Sequence, residues 1–330
     1  ELLKQRRTKI VATLGPASTE VKVLSRLLQA GVNMFRLNMS HGDHTNHALL
    51  VKNIHKSIKE TGINAAIMAD LCGPKIRTGK FHNGKAMLKR GSETTLTVRN
   101  VLGDETLIPS QYKQLHTDVK PGDRVLLNDG LITLEVLSVK DRDVHCRIVH
   151  GGMISDHKGI NMPDSIVSTP ALTAKDKKDA LFALGQGVDY LSLSFVRTAD
   201  EIHKLRRIIK GQKSSASIIA KIETPLALQN ITEILQASDA IMVARGDLGV
   251  ELAPEEVPVA QLQLIDQARL ANRPVIVATQ VLESMIVNAR PTRAEISDIS
   301  YAGSSGADAM MLSAESSVGK YPVSSIKMMD

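Results

Sequence analysis

The chain has 330 residues and 43% hydrophobic content, enough for one large barrel or two ordinary domains around a sizeable buried core. Its 41 Lys and Arg exceed its 35 Asp and Glu, and the resulting +6 suits nucleic acid or small phosphorylated substrates. With 2% aromatic residues and no Trp, there is little on which to stack bases, which argues against nucleic acid. The two cysteines, Cys72 and Cys146, have no metal or redox spacing and no secretory leader opens the chain, so a reducing, cytoplasmic compartment is expected. No apolar run is long enough for a bilayer, so no membrane partner is expected.

Short apolar, β-branched runs that read as buried parallel strands begin near Thr8 (TKIVATL), Asn33 (NMFRLN) and Ala65 (AAIMADL). Further runs begin near Tyr190 (YLSLSF), Ser217 (SIIAKIE), Ala240 (AIMVARGD), Pro274 (PVIVATQ) and Ala309 (AMMLSAE). Helix starts are expected at Ser18, ahead of Val21, Leu24, Leu27 and Leu28, and at Thr198 with Glu201, Thr224 with Pro225 and Thr292 with Glu295; Gly31 and Gly211 fit helix stops. Strand starts lie roughly 24 to 35 residues apart, the spacing of a βα repeat, except for a gap of about 125 between the third and the fourth.

That gap has a different texture. "ETTLTVRN", "DRVLLNDGLITLEVLSV" and "DVHCRIVHGG" read as short alternating strands separated by Pro-Gly-Asp and Asn-Asp-Gly turns, hence a small antiparallel β domain. The expected fold is α/β: a (β/α)8 TIM barrel with this domain inserted after strand 3, the alternative being a doubly wound sheet. Residues 1–73 and 170–330 would form the barrel and 74–169 the inserted lid, with the last helix cut short after "GKYP". "GKFHNGKA", Gly79 to Ala86, nearly matches a phosphate-binding loop. It has Ala86 where Ser or Thr should stand and starts the β insertion, so a hairpin is expected instead.

In a parallel barrel, chemistry sits where strands end. Those positions carry Arg36, Asn38 and Ser40 after strand two, Asp70 after three, Ser194 at four, and Lys221 with Glu223 at five. Arg245 and Asp247 follow at six, Thr279 at seven, and Ser313 with Glu315 at eight. Arg36, Asn38 and Ser40 occupy every second position and share a face, as do Lys221 and Glu223. Unpaired charges in an apolar barrel mouth would be costly. Glu223 and Asp247 end adjacent strands, where their carboxylates could meet on one hard divalent cation, Mg²⁺ or Mn²⁺. Lys221 and Arg36 would face a phosphoryl group, and the Gly-rich "RGDLG" turn offers N–H groups to a carboxylate.

The ordered motifs "TKIVATLGPAS", "FRLNMSHG", "DLCGPKIRTG", "KIET", "IMVARGDLGVE", "ATQVLESMI", "RPTRAE" and "MLSAE" together resemble pyruvate kinase, across the whole barrel. The resemblance implies phosphoryl transfer from phosphoenolpyruvate to ADP, giving pyruvate and ATP at the last step of glycolysis. It implies Glu223 and Asp247 as Mg²⁺ ligands, Lys221 stabilising the phosphoryl group and the enolate, and Arg36 on the phosphoryl group. It further implies Ala244, Gly246, Asp247 and Thr279 on the substrate carboxylate, with Thr279 and Ser313 in the proton relay. Nucleotide contacts would come from Asn38, His41, Arg77 and Lys158. The last lies in "HKGINMP", which departs from the family's "KGVNLP" at Met162 and, after the proline, at Asp164.

In potassium-activated members the cation ligands match Asn38, Ser40, Asp70 and the backbone of Leu71. Those members have Thr after the Asp and Glu after the Gly-Pro, where this chain has Leu71 and Lys75. A lysine ammonium can replace the monovalent cation, so K⁺ is not expected to be required. The family also implies a homotetramer and a C-terminal domain that these residues do not include. The alternative enzyme is a metal-dependent pyruvate or oxaloacetate lyase or aldolase, which would not need the lid or the nucleotide residues. A non-catalytic relative would carry broken site positions, and none is broken.

Overall fold

In the computed structural model, which describes residues 6–330, the chain opens with three strands, β1 (Lys9–Thr13), β2 (Met34–Asn38) and β3 (Ala66–Asp70). They alternate with helices α1 (Val21–Gln29) and α2 (His44–Thr61). Shorter strands follow: β4 (Lys85–Leu88), β5 (Glu93–Thr97), β6 (Leu107–Pro109), β7 (Arg124–Leu127), β8 (Ile132–Lys140), β9 (Asp143–His150), β10 (Gly152–Ser155) and β11 (Ile160–Asn161), with one helical turn, α3 (Leu115–Asp118). The βα alternation then resumes with α4 (Ala174–Gly185), β12 (Tyr190–Leu193), α5 (Ala199–Gly211), β13 (Ser217–Ile222), α6 (Pro225–Gln229), α7 (Ile231–Ala237) and β14 (Ala240–Ala244). It ends with α8 (Arg245–Glu251), α9 (Val257–Leu270), β15 (Val275–Ala278), α10 (Arg293–Ser304), β16 (Ala309–Leu312), α11 (Ala314–Ser317) and α12 (Pro322–Met329).

Eight parallel strands close into a barrel in the order β1-β16-β15-β14-β13-β12-β3-β2, the (β/α)8 architecture expected from the strand spacing. Val11, Met68, Ile219, Met242, Ile276 and Met311 pack its interior. Register carries the polar residues to a common level: Arg36 lies beside Thr13 and Met68, while Asp70 lies between Asn38 and Ser192. No helix among the described residues is long and apolar enough to cross a membrane.

Most helix starts follow their capping residues. Thr224 accepts from the N–H of Ala227, and Thr292 with Glu295 forms a reciprocal capping box. Three local expectations are corrected. Ser18 does not cap α1; it closes a preceding 3₁₀ turn, its Oγ accepting from the N–H of Gly15, and Glu20 takes the cap position. Thr198 does stand at the cap of α5 and its carbonyl accepts the Glu201 N–H, but no capping box forms, because the Glu201 carboxylate is engaged by the N–H groups of Ala171 and Arg197 and by the Arg197 guanidinium. Gly211 keeps helical backbone as the last residue of α5, and the left-handed turn falls on Lys213.

The chain divides into two compact units: the residues up to Gly73 with Ala171–Leu248 and Glu255–Asp330, and Pro74–Pro170 with Gly249–Pro254. In the second unit, β11-β7-β8-β9-β5-β6 form one sheet and β10-β4 another, around Leu88, Leu96, Val125, Leu134 and Ile148. This unit is not wholly antiparallel: β5 and β6 pair in parallel, because the loop 98–106 carries the chain back alongside β5 before β6 begins. The Asn128-Asp129-Gly130 turn joins β7 to β8, with all three residues in left-handed backbone. Gly79 to Ala86 leads through a tight turn at Gly84 into β4 and not into the helix of a phosphate-binding loop, but the expected hairpin is corrected: β4 pairs with β10, while Thr78 and Phe81 bridge to Ser110 and Gly103.

Candidate active site

A cluster of buried charges stands at the ends of β2, β3 and β13. The Arg36 guanidinium reaches Asp70 Oδ2 at 2.6 and 2.8 Å through Nη2 and Nε, and donates to Thr13 Oγ1 at 3.1 Å. Lys221 Nζ lies 2.9 Å from Glu223 Oε1 and 3.6 Å from Asp70 Oδ2, and donates to Ser194 Oγ at 2.7 Å. Ser194 Oγ in turn donates to the Leu71 carbonyl. Glu223 Oε2 accepts the N–H of Phe195, a residue held at a positive φ of 54°. The two-residue spacing of Lys221 and Glu223 therefore puts both on one face, as the strand period requires.

Titration follows from this packing. Burial works against ionisation of Asp70, but the Lys221 and Arg36 charges outweigh it and hold its carboxyl below the usual range. Burial likewise disfavours the Lys221 ammonium, and Asp70 and Glu223 overcome it, so Lys221 stays charged well above its ordinary value. Glu223 behaves oppositely. Burial pushes its carboxyl up to about 7, with the Asp247 charge adding to the rise and Lys221 opposing it.

Glu223 is thus a fully buried carboxylate that feels the charge of the half-buried Asp247. Glu223 Oε1 is buried and has no well-directed hydrogen-bond donor, although the Lys221 ammonium is near it. Those features fit a hard divalent cation. Among the described residues no group of three or more His, Cys, Asp and Glu could hold a metal alone, so water and substrate oxygens would complete its shell.

On the neighbouring strands, the turn after β14 meets the turn after β15. The N–H of Gly246 donates to Thr279 Oγ1 at 2.7 Å, and a side chain at Gly246 would stand 3.2 Å from that oxygen. Thr279 and Gln280 both have left-handed backbone, at φ of 68° and 52°. For a β-branched threonine this is a strained conformation. Arg245 holds it: the guanidinium donates to the carbonyls of Thr279 and Gln280 at 2.8 and 2.9 Å and pairs with Asp298 at 2.6 Å.

The sequence model of the family described as "Pyruvate kinase, barrel domain" matches residues 5–326. The chain belongs to the pyruvate kinase family. It is 46% identical to a pyruvate kinase of Corynebacterium efficiens, covering 98% of this chain and 69% of that protein. It is 45% identical to a pyruvate kinase of Geobacillus stearothermophilus, covering 98% of this chain and 56% of that one. A crystal structure of a pyruvate kinase from Cryptosporidium parvum superposes with a TM-score of 0.96 at 38% identity, covering 99% of this chain and 68% of the other. As a pyruvate kinase, the chain is a phosphotransferase, which decides against the lyase or aldolase reading.

Within this pyruvate kinase barrel, Arg36, Asp70, Lys221 and Glu223 form one connected group, and Gly246 with Thr279 a second. The N–H of Gly246, expected to face a substrate carboxylate, is engaged by Thr279 Oγ1. Ala244 is buried at the end of β14. Ser313 Oγ is buried without a hydrogen-bond partner, and its N–H donates to Glu315 at 2.7 Å. Glu315 also accepts from the N–H of Leu282, so this buried carboxylate ties the turns after β15 and β16 together. After β2, Asn38 Oδ1 accepts the N–H of Ser40, while His41 is exposed. In the second unit, Arg77 bridges to Gly159, the neighbour of Lys158, and donates to the His157 carbonyl, while Lys75 is exposed.

Three contributors carry no assigned role in the sequence reading. Thr13 supports Arg36, and its place at the end of β1, level with Arg36, is the signal that points to it. Ser194 orients Lys221, and Glu315 fixes two turns; both are legible as strand-end polar residues, but their partners are not.

Proposed function

We propose that the barrel rim performs phosphoryl transfer between phosphoenolpyruvate and ADP, with Mg²⁺ or Mn²⁺ held by Glu223 and Asp247. The observation that carries this reading is the buried Arg36–Asp70–Lys221–Glu223 cluster at the ends of barrel strands. The cation, when bound, supplies Lewis-acid stabilisation of oxygen charge.

The protein's own part is positioning and charge stabilisation, which dominate phosphoryl transfer. Lys221, held by Ser194 and Asp70, keeps a permanent ammonium for the equatorial phosphoryl oxygens and then for the enolate oxygen. Arg36, fixed by Asp70 and Thr13, presents its remaining N–H donors to the same group. Ala244, Gly246, Asp247 and Thr279 orient the carboxylate. Because Thr279 Oγ1 already occupies the N–H of Gly246, that contact requires the threonine hydroxyl to yield or to share it. Thr279 and Ser313 serve the protonation of the enolate carbon, a role that the unpartnered Ser313 hydroxyl supports. Nucleotide contacts are assigned to Asn38 and His41 in the barrel unit and to Arg77 and Lys158 in the inserted unit.

Potassium is not required in this proposal, because Leu71 and Lys75 replace the residues of potassium-dependent members. Asn38, Ser40, Asp70 and Leu71 stand at the positions of the cation ligands in potassium-activated members. Asp70 Oδ1 is buried without a hydrogen-bond partner, and a lysine ammonium can take the place of a monovalent cation. The enzyme is assigned to the cytoplasm and to a homo-oligomer, the latter checked by light scattering.

The test is pyruvate formation from phosphoenolpyruvate and ADP with Mg²⁺, coupled to lactate dehydrogenase, with and without K⁺. Turnover in both conditions supports the full reading. Turnover only with K⁺ removes Lys75 from it, and no turnover by a folded chain overturns the site assignment.

A further inference from the structure

We infer that one face of α4, formed by Lys175, Asp179 and Phe182, is a positioning brace for the loop after β2, and so tunes the affinity of the enzyme for ADP. The inference rests on the assignment of Asn38 and His41 to the nucleotide.

The three residues are spaced i, i+4 and i+7, a single helix stripe. Each grips the segment from Met39 to His44. Lys175 Nζ donates to the Met39 carbonyl at 2.7 Å and pairs with Asp179 on its own helix. Asp179 Oδ1 lies 2.8 Å from His44 Nε2. The His44 ring stacks on Phe182, with centroids 4.1 Å apart and planes within 4°. On the far side, His47 Nε2 donates to the His41 carbonyl at 2.9 Å. The loop is therefore held at Met39, His41 and His44, on both sides of Ser40 and His41.

Asp179 is the pivot. It is 4% exposed, yet it takes a lysine and a histidine at once. Lys175 and His44 are themselves about half exposed, and pairs with such partners add little net stability. What an apolar stripe could not do is fix the position of a backbone carbonyl. Lys175 does that at Met39, whose own N–H is tied to the Asp70 carbonyl and so to the charge cluster. None of the three side chains belongs to the group that surrounds Lys221.

The experiment measures steady-state KM for ADP and for phosphoenolpyruvate, with kcat, in the full chain and in Asp179→Asn, Lys175→Met and their double variant, alongside thermal melting. The brace requires a rise of about tenfold in the ADP KM for each single variant, with kcat and the phosphoenolpyruvate KM within about twofold. The double variant should be no worse than the worse single, because the residues act as one unit. An ADP KM within about twofold in both single variants, whatever happens to the melting temperature, overturns the brace. So does an equal fall of kcat/KM for both substrates. His41→Ala, run alongside, reports on the nucleotide assignment. An ADP KM unmoved there overturns that assignment, whereas one moved by His41→Ala and unmoved by both single variants overturns the brace alone.

Discussion

Replacing Arg245 by lysine tests whether the strained turn after β15 is held from outside. Two consecutive non-glycine residues, Thr279 and Gln280, adopt left-handed backbone, each costing about 1–2 kcal/mol relative to an ordinary conformation. Together they place on the order of 2–4 kcal/mol of strain in the turn that carries the Thr279 hydroxyl. Arg245 offsets this with donors to both carbonyls, at 2.8 and 2.9 Å, from a side chain 90% buried and anchored by Asp298. Charge-assisted bonds of this kind contribute about 1.5–3 kcal/mol each. A lysine has one nitrogen in place of the planar fork and cannot keep both carbonyl bonds and the Asp298 pair. Losing about 2 kcal/mol would leave the turn in its strained form in only a few per cent of molecules, which corresponds to a fall of about 30-fold. Arg245→Lys is therefore expected to lower kcat/KM for phosphoenolpyruvate by about 10- to 100-fold, while the KM for ADP changes little. The lactate dehydrogenase couple, with each substrate varied in turn and the melting curve recorded in parallel, measures it. A variant that folds normally and keeps kcat/KM for phosphoenolpyruvate within about twofold of the parent would refute the claim that Arg245 maintains the strained turn.

Three further outcomes are expected. Lys221→Met should cut phosphoryl transfer by about a thousandfold or more while the chain still folds, since the ammonium meets charge that develops in the transition state; near-normal turnover would remove Lys221 from the mechanism. Glu223→Gln should raise the Mg²⁺ concentration for half-maximal rate by at least about tenfold, and an unchanged metal titration would reject Glu223 as a ligand. Glu295 offers a pH test of stability. Its partial burial opposes ionisation, but donors from Ser284 and Thr292 outweigh this and hold its carboxyl below the ordinary range. A depressed folded value means that the contribution is present above the unfolded value of about 4.3 and fades as pH falls through the folded one. The melting difference between the parent and Glu295→Gln should thus be full at pH 7 and shrink toward pH 3; a difference that grows on acidification would contradict the assignment.

The sequence discloses what depends on local period and hides what depends on closure. Alternation along "FRLN" and "KIE" is enough to say that Arg36 and Asn38, or Lys221 and Glu223, share a face at a strand end. It cannot say that Asp70 binds Arg36 and Lys221 with one oxygen, because that contact depends on how β2, β3, β12 and β13 register as the barrel closes. The strain at Thr279 is hidden for a similar reason. "VATQ" reads as the end of a strand, and the donors of Arg245, from the preceding βα unit, support the left-handed backbone there. Likewise, the i, i+4, i+7 stripe on α4 is visible as a pattern, but its occupant, the loop after β2, is not. The charges of the site follow the same division. The Asp247 charge both raises Glu223 and favours the Lys221 ammonium, so a further carboxylate joins their field. In the proposed reading, that additional carboxylate gives the barrel mouth a use for a divalent cation and, beyond it, for an anionic substrate.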